Sequence, residues 1–200
     1  MDARINAVIS GKYGASENSD KQLLSFFKPL IAKRLIPVSC TLDGNPQAIR
    51  VLTTLWPSII IQRCLVHIQR QGLMWCRRNP KTTYGQKLRA IFLKVTYIRD
   101  TDERDLFLKE LALWEERYGQ FIATQPERGR VFSDIKRARS MLLKALPDMF
   151  NYLDNTNIPF STNGLEGYFS RLKSHYRHHR GLSKSRLNNY FTWYFFLRPK

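Results

Sequence analysis

The segment IPVSCTLDGNP, residues 36–46, decides the fold predicted for this chain. Its short apolar run ends at Asp43, Gly44 predicts a turn, and the Asn-Pro pair that follows predicts the start of a helix. A β-branched run at residues 58–62 predicts a second strand, fully buried and parallel to the first. Asp43 is therefore expected at the carboxyl end of a buried strand, which is where open α/β sheets bind ligands.

Helical spacing of apolar residues accounts for most of the remaining sequence. Ser19 and Gln22 predict a capping box for a helix that Pro29 should kink or shorten. Residues 3–10 predict one further strand, whereas residues 65–157 show no strand pattern and predict helices instead. The fold class predicted from this pattern is α/β, with helices predominant overall.

A single acid stands out in the C-terminal segment. Ser161, Thr162 and Asn163 are all good N-cap residues, so a helix should begin there with Glu166 in its first turn. Glu166 is the only acid among residues 161–200, which carry eight Lys and Arg residues. A lone carboxylate in a basic field suits the binding of a divalent cation beside a phosphate backbone. The alternative is an ordinary helix-capping glutamate on a solvated face.

The overall charge of the chain indicates a polyanionic partner. The 200 residues have a formal net charge of +17 and a pI near 10.2, and 43% of them are apolar, as in globular proteins. Other classes of basic protein share this charge, so charge alone does not single out DNA. We see no signal peptide and no apolar run of membrane-spanning length, and three cysteines do not suggest a disulfide framework. We therefore expect a reduced, intracellular protein.

The charges are also unevenly distributed along the chain. No acid occurs between Gly44 and Arg99, whereas ten Lys and Arg residues do. Such a stretch predicts contacts with the phosphates of a nucleic-acid backbone, without reading of the base sequence. The alternative is a basic face that is simply solvated.

Three motifs follow one another in an order that resembles a known family. The first is the strand that ends in Asp43 and a glycine turn. The second is Cys64-x-x-His67 after the next predicted strand, and the third is an Asn-x-x-Glu-Gly helix start around Glu166. Together they resemble the mutator-type DDE transposases of bacterial insertion sequences, and the resemblance extends over residues 10–193.

The resemblance implies an RNase H-like catalytic fold with a large all-helical insertion. It divides the chain into an N-terminal part of the catalytic core (1–80), the insertion (81–157) and a C-terminal part of the core (158–200). Asp43 would be the second catalytic acid and Glu166 the third; with a first Asp they would hold two Mg²⁺ or Mn²⁺ ions. The family places the first Asp on a strand upstream of those predicted here, so we expect an N-terminally truncated chain.

The same resemblance implies DNA transposition, by two-metal phosphodiester cleavage and strand transfer at insertion-sequence ends. The expected partners are the DNA of those ends and of the target, further copies of the complete enzyme, and an upstream fragment that supplies the first Asp. The expected location is the prokaryotic cytoplasm, at the nucleoid. The residues predicted to contact DNA are Arg63, Arg70, Arg77, Arg78, Lys81, Arg171, Lys173, Arg177, His178 and Arg180.

Cys64 and His67 are predicted to be structural or to lie near the catalytic site. A zinc site is the alternative, and Cys76 or the histidines at 175, 178 and 179 could supply further ligands. Two other functions remain open. One is an RNase H-like metal-dependent nuclease that uses the same two acids, and the other is a non-catalytic DNA-binding remnant of a transposase.

Overall fold

A computed structural model describes residues 1–5, 7–126, 134–178 and 181–197 of the chain. Within these ranges the protein is predominantly helical and has one small sheet of two parallel strands. No helix in the described part is long and apolar enough to cross a bilayer. The elements are α1 (Asp20–Ala32), β1 (Ser39–Leu42), α2 (Pro46–Leu55), β2 (Ile60–Arg63), α3 (Leu65–Cys76), α4 (Thr83–Lys94), α5 (Thr101–Trp114), α6 (Gln120–Thr124), α7 (Ile135–Ala145), α8 (Asn151–Asp154), α9 (Asn163–Arg177) and α10 (Lys184–Leu197).

The two strands pair in parallel as predicted, and the four residues of β1 lie opposite the four of β2 in order. α2 connects them and packs Leu52 and Trp56 against Ile59 and Ile61. The expectation of a fully buried second strand is wrong at Ile60, whose side chain is 36% exposed. Successive side chains of a strand point to opposite faces, so Ile60 points away from the face that α2 covers.

The largest hydrophobic cluster lies among the helices that follow β2. It unites α3, α4, α5 and α7 with the segment after α7, and its buried side chains include Leu65, Leu88, Phe92, Phe107 and Leu142. Burial of each such side chain contributes roughly 1.5–3 kcal/mol. Between residues 65 and 157 the described ranges contain no strand, which confirms the prediction of a helical segment there.

The side chain of Gln62 joins the sheet to this helical cluster. Gln62 is fully buried; its Nε2 donates a 2.8 Å hydrogen bond to Met149 O, and its Oε1 accepts one of 3.2 Å from Tyr152 N. Asn151 adds a 2.8 Å hydrogen bond from its side-chain amide to Ile61 O. Because a buried amide without partners is costly, these bonds fix the position of α8 on β2.

The strand predicted at residues 3–10 is not formed. An isolated antiparallel bridge joins Asp2 to Ala7 and encloses a turn, in which Asp2 Oδ1 accepts a 2.9 Å hydrogen bond from Arg4 N. Val8 is buried in a second cluster, which α9 and α10 form. Val8 therefore packs on helices instead of entering the sheet, whereas Ile5 and Ile9 are exposed.

α1 differs from its prediction in two respects. Ser19 caps the helix by accepting a hydrogen bond from Gln22 N, but Gln22 Oε1 accepts one from Ser16 N, so the reciprocal half of the capping box is not made. Of the two effects predicted for Pro29, shortening does not occur, because the helix continues for three more residues. Pro29 and Ser25 are both exposed, so the Ser25 carbonyl that loses its helical donor can bind water.

Gly72 tests the packing of α3 against α4. A Cβ at Gly72 would overlap the ring of Phe92, which is fully buried in the core. We expect Gly72→Ala to lower the free energy of unfolding by about 1–3 kcal/mol through overpacking, although alanine has the better helix propensity. Denaturant titration followed by circular dichroism measures this change.

Gly167→Ala in α9 is the matched control. A Cβ there would come no closer than 3.6 Å to the Arg171 guanidinium, which is an ordinary contact. The free energy of unfolding of this variant should rise by up to about 1 kcal/mol, because alanine loses less backbone entropy than glycine when a helix forms. An equal rise in the free energy of unfolding in both variants would contradict the packing of Gly72 on Phe92.

Candidate functional site at the carboxyl edge of the sheet

Asp43 directly follows the last residue of β1, as predicted, but the four residues of that strand are half-buried and not buried. Cys64 N donates a 2.8 Å hydrogen bond to Leu42 O and so extends the strand pairing to this point. Asp43 Oδ1 accepts a 3.2 Å bond from Asn45 N, and Asn45 Oδ1 accepts a 3.0 Å bond from Ala48 N. The turn thus leads straight into α2, and the exposed Asp43 carboxylate lies at the positive end of that helix.

Gly44 and Arg63 fit against each other beside Asp43. Gly44 has a φ of 99°, in the region that favours glycine, and a Cβ there would overlap the Arg63 guanidinium. Arg63 is only 8% exposed; its Nη2 donates a 3.1 Å hydrogen bond to Asp43 O, and its buried Nε has no hydrogen-bond partner. Burial lowers the pKa of Arg63, and the charges of Asp148 and Asp43 partly offset this. Arg63 thus lies inside the protein, unlike the other residues predicted to contact DNA that fall within the described ranges.

Cys64 and His67 contact each other at the start of α3. His67 Nδ1 lies 3.1 Å from Cys64 Sγ, which belongs to a fully buried residue. Thr162, 98 residues later in the chain, donates to the same sulfur from both its N and its Oγ1, each at 3.4 Å. Thr162 precedes α9, yet its side chain caps no amide of that helix. Its hydroxyl instead joins the start of α9 to the start of α3.

Glu166 reaches the same group of side chains from the first turn of α9. Its Oε1 lies 3.4 Å from His67 Nε2, and its Oε2 lies 3.6 Å from Arg70 Nη1. Oε1 is buried, yet it accepts no hydrogen bond. Glu166 is therefore held against α3, which differs from a capping glutamate on a solvated face.

Two further hydrogen bonds fix the segment that precedes α9. Leu65 N donates to Phe160 O at 2.9 Å, and Thr41 Oγ1 donates to Pro159 O at 2.7 Å. The segment is thus attached to both β1 and α3. As a result, the N-terminal ends of α2, α3 and α9 meet at one edge of the sheet, and their dipoles produce a positive potential there.

The oxygen atoms of Asp43 and Glu166 suit a hard divalent ion. Within the described ranges, no group of three or more His, Cys, Asp and Glu side chains is placed to hold a metal. Asp43 and Glu166 are two carboxylates, one fewer than the three that the family resemblance assigns to a two-ion centre.

The zinc alternative does not fit the position of Cys76. Cys76 ends α3, about 18 Å along the helix axis from Cys64, and lies in the main hydrophobic cluster. Burial raises the pKa of its thiol to about 12, and a thiol that keeps its proton is a poor metal ligand. His175 lies about 13 Å along α9 from Glu166, and His179 falls outside the described residues.

Most of the other residues predicted to contact DNA lie on the surface. They extend along or just beyond α3 and α9, the two helices that begin at the candidate site. Arg180 falls outside the described residues. The exposed side chains are those of Arg70, Arg77, Arg78, Lys81, Arg171, Lys173, Arg177 and His178.

Sequence reasoning missed the contact between Thr162 and Cys64. The sequence predicts Thr162 only as a helix cap, and no local pattern indicates a partner 98 residues away. Thr162 occupies the N-cap position of α9, but its hydroxyl bonds to Cys64 instead of capping the helix.

Comparison with known proteins found no match for this chain among protein-family models, curated proteins or solved structures. The function of the site is therefore inferred from the motif resemblance and from the chemistry of four side chains, those of Asp43, Cys64, His67 and Glu166.

Thr162→Val tests the junction between α3 and α9. The change removes the hydroxyl but keeps the side-chain shape, so we expect a loss of about 0.5–1.5 kcal/mol in the free energy of unfolding. The imidazole ¹⁵N resonances of His67 should also shift, because Thr162 Oγ1 lies 3.4 Å from His67 Nδ1. Thr162→Ser keeps the hydroxyl, so its free energy of unfolding and its His67 resonances should match those of the unaltered chain. Unchanged His67 resonances in Thr162→Val would contradict the described junction.

Proposed function

We propose that this chain forms part of the RNase H-like catalytic core of a mutator-type DDE transposase, which acts on DNA with Mg²⁺ or Mn²⁺ as its cofactor. The observation that carries the proposal is the contact of Glu166 with His67, which in turn contacts Cys64. These motifs are far apart in the sequence, and both meet the sheet edge at which Asp43 lies. A chance similarity of short motifs gives no reason for them to meet in space.

The pairing of β1 with β2 supports an RNase H-like arrangement, because the two strands are parallel and an acid follows the first of them. We propose that a further strand, which carries the first catalytic Asp, completes the sheet and is supplied by an upstream segment. Ile36 and Val38, just before β1, are 78% and 67% exposed. An additional strand beside β1 would cover such apolar side chains.

Each residue at the sheet edge has a role in this proposal. When bound, the metal ions would activate a water or a DNA 3′-hydroxyl and stabilise the leaving oxygen of a phosphodiester. Asp43 and Glu166 hold the ions through their carboxylate oxygens, and His67 and Arg70 orient the Glu166 carboxylate. The positive ends of three helices attract the phosphate group that reacts.

A non-catalytic DNA-binding protein derived from a transposase is the second candidate. The pairing of Glu166 with Arg70 favours it, because the guanidinium already balances the charge of the carboxylate without a metal. DNA nicking that depends on Mg²⁺ and is lost in Glu166→Gln would exclude this candidate. Nicking without any joining of DNA ends would instead indicate a nuclease.

Binding to DNA is the first test of the proposed function. We expect the chain to bind duplexes of unrelated sequence with similar affinity, because phosphate contacts carry no base information. If about six phosphates are contacted, the logarithm of the affinity should fall with the logarithm of the salt concentration at a slope near −5. Fluorescence anisotropy over a range of salt concentrations measures the slope. A flat salt response, or no binding at low salt, would contradict the proposal.

Cleavage of the polypeptide by bound Fe²⁺ tests the metal site. Fe²⁺ can replace Mg²⁺ at oxygen ligands and, with ascorbate and peroxide, cuts the nearby backbone. We expect cuts near Asp43 and Glu166 that Mg²⁺ suppresses by competition. Asp43→Asn and Glu166→Gln should each abolish both cuts, whereas Asp102→Asn on α5, an exposed position, should leave them unchanged. Cuts that persist in both site variants would contradict a shared site.

A further inference from the structure

α3 presents an exposed stripe that begins at the candidate site. Four residues of the stripe recur at intervals of three or four, namely His67, Arg70, Met74 and Arg77. The first three share one face of α3, and Arg77 directly follows its last residue. The opposite face, which includes Ile68 and Gly72, is buried in the main cluster. Two more exposed bases, at positions 78 and 81, follow the helix.

Few acids accompany this stripe. The sequence has none from Gly44 to Arg99. Glu166 lies at the start of the stripe, 3.6 Å from Arg70. Near its end Asp134, whose N donates to Trp75 O, is buried and pairs with Arg137. α5, which carries four acids, packs on α4. The exposed bases are Arg70 on α3 and Arg77, Arg78 and Lys81 just after it, and few acids lie near them.

Met74 interrupts the bases with an apolar side chain. It is 62% exposed and lies between Arg70 and Arg77. Methionine is unbranched and flexible, so it adapts to irregular surfaces, and both methionine and arginine are enriched at binding interfaces. A stripe of this composition suits a partner that is negatively charged and has apolar sugar groups between its charges.

We infer that the phosphate backbone of one DNA strand runs from the Glu166 site along the exposed face of α3 towards Arg78 and Lys81. This inference rests on the proposed function and adds to it the path of the DNA. From Arg70 to Arg77 the helix rises about 10 Å, which matches roughly three phosphates at 3.4 Å each along a duplex axis. The bases contact these phosphates, and Met74 packs on the sugars.

α9 offers the other path from the same site, since Lys173 and Arg177 on it are exposed. Both helices are continuous with the site, since Glu166 lies on α9 and Arg70 of α3 reaches its carboxylate. One observation favours α3: its buried face anchors it in the main cluster, which gives the DNA a rigid support.

Two variants of equal net charge test the path. One replaces Arg70, Arg78 and Lys81 with Gln, and the other replaces Lys28, Lys109 and Arg117, which are exposed on α1, on α5 and just after α5. Loss of three phosphate contacts should reduce the magnitude of the salt slope by about 2–3 in the first variant. The second variant should keep the slope within about 1 of the unaltered chain. Similar slopes in both variants would overturn the inference.

A photocrosslinking residue locates the DNA directly. p-Benzoyl-phenylalanine at Met74 should crosslink to duplex DNA, whereas the same residue at Leu113 on α5, which is similarly exposed at 57%, should not. Crosslinking at Phe169 on α9, 41% exposed, but not at Met74 would place the DNA on α9 and overturn the inference while leaving the proposed function intact. Failure of the unaltered chain to bind DNA at all would overturn both.

Discussion

The hydrogen bonds that residues 159–162 make to the end of the sheet hold the candidate site together. This segment bonds β1 through Thr41, α3 through Leu65, and the buried sulfur of Cys64 through Thr162. Each bond contributes only about 1 kcal/mol, but together they place Glu166 beside a helix that begins about one hundred residues earlier. The entropy lost on closing so long a loop grows slowly with its length, and the hydrophobic cluster of the intervening helices offsets it.

Electrostatic strain is a second property of this structure. The chain carries a net charge of +17, and three helices direct their positive ends to one edge of the sheet, where Arg63 is also buried. Like charges held close together destabilise a compact state. A polyanion at this edge would relieve the repulsion, so binding and folding are thermodynamically linked.

Local signals in the sequence predicted local structure well. Asn45 and the proline after it mark the start of α2 because capping depends only on the next few residues. The strand at residues 3–10 was predicted wrongly because apolar residues alone do not determine whether a partner strand or a helix covers them. The sequence predicted that Pro29 would kink or shorten α1. It could not show that the carbonyl group left without a helical donor is exposed and can bind water. For the site, the sequence placed Asp43 and Glu166 at element ends, but the bonds of Thr162 to Cys64 depend on tertiary contacts and could not be predicted.

The buried amide of Gln62 limits how this protein could be shortened. By the boundaries predicted from the sequence, Met149 and Tyr152 belong to the helical insertion, yet they complete the hydrogen bonding of a residue in the middle of β2. A deletion that joined the two parts of the core directly would leave the side-chain oxygen of Gln62 unsatisfied in an apolar setting, at a cost of about 1–3 kcal/mol, whereas its Nε2 would keep the hydrogen bond to Arg63 O. The segment between α7 and α9 is therefore a structural component of the sheet.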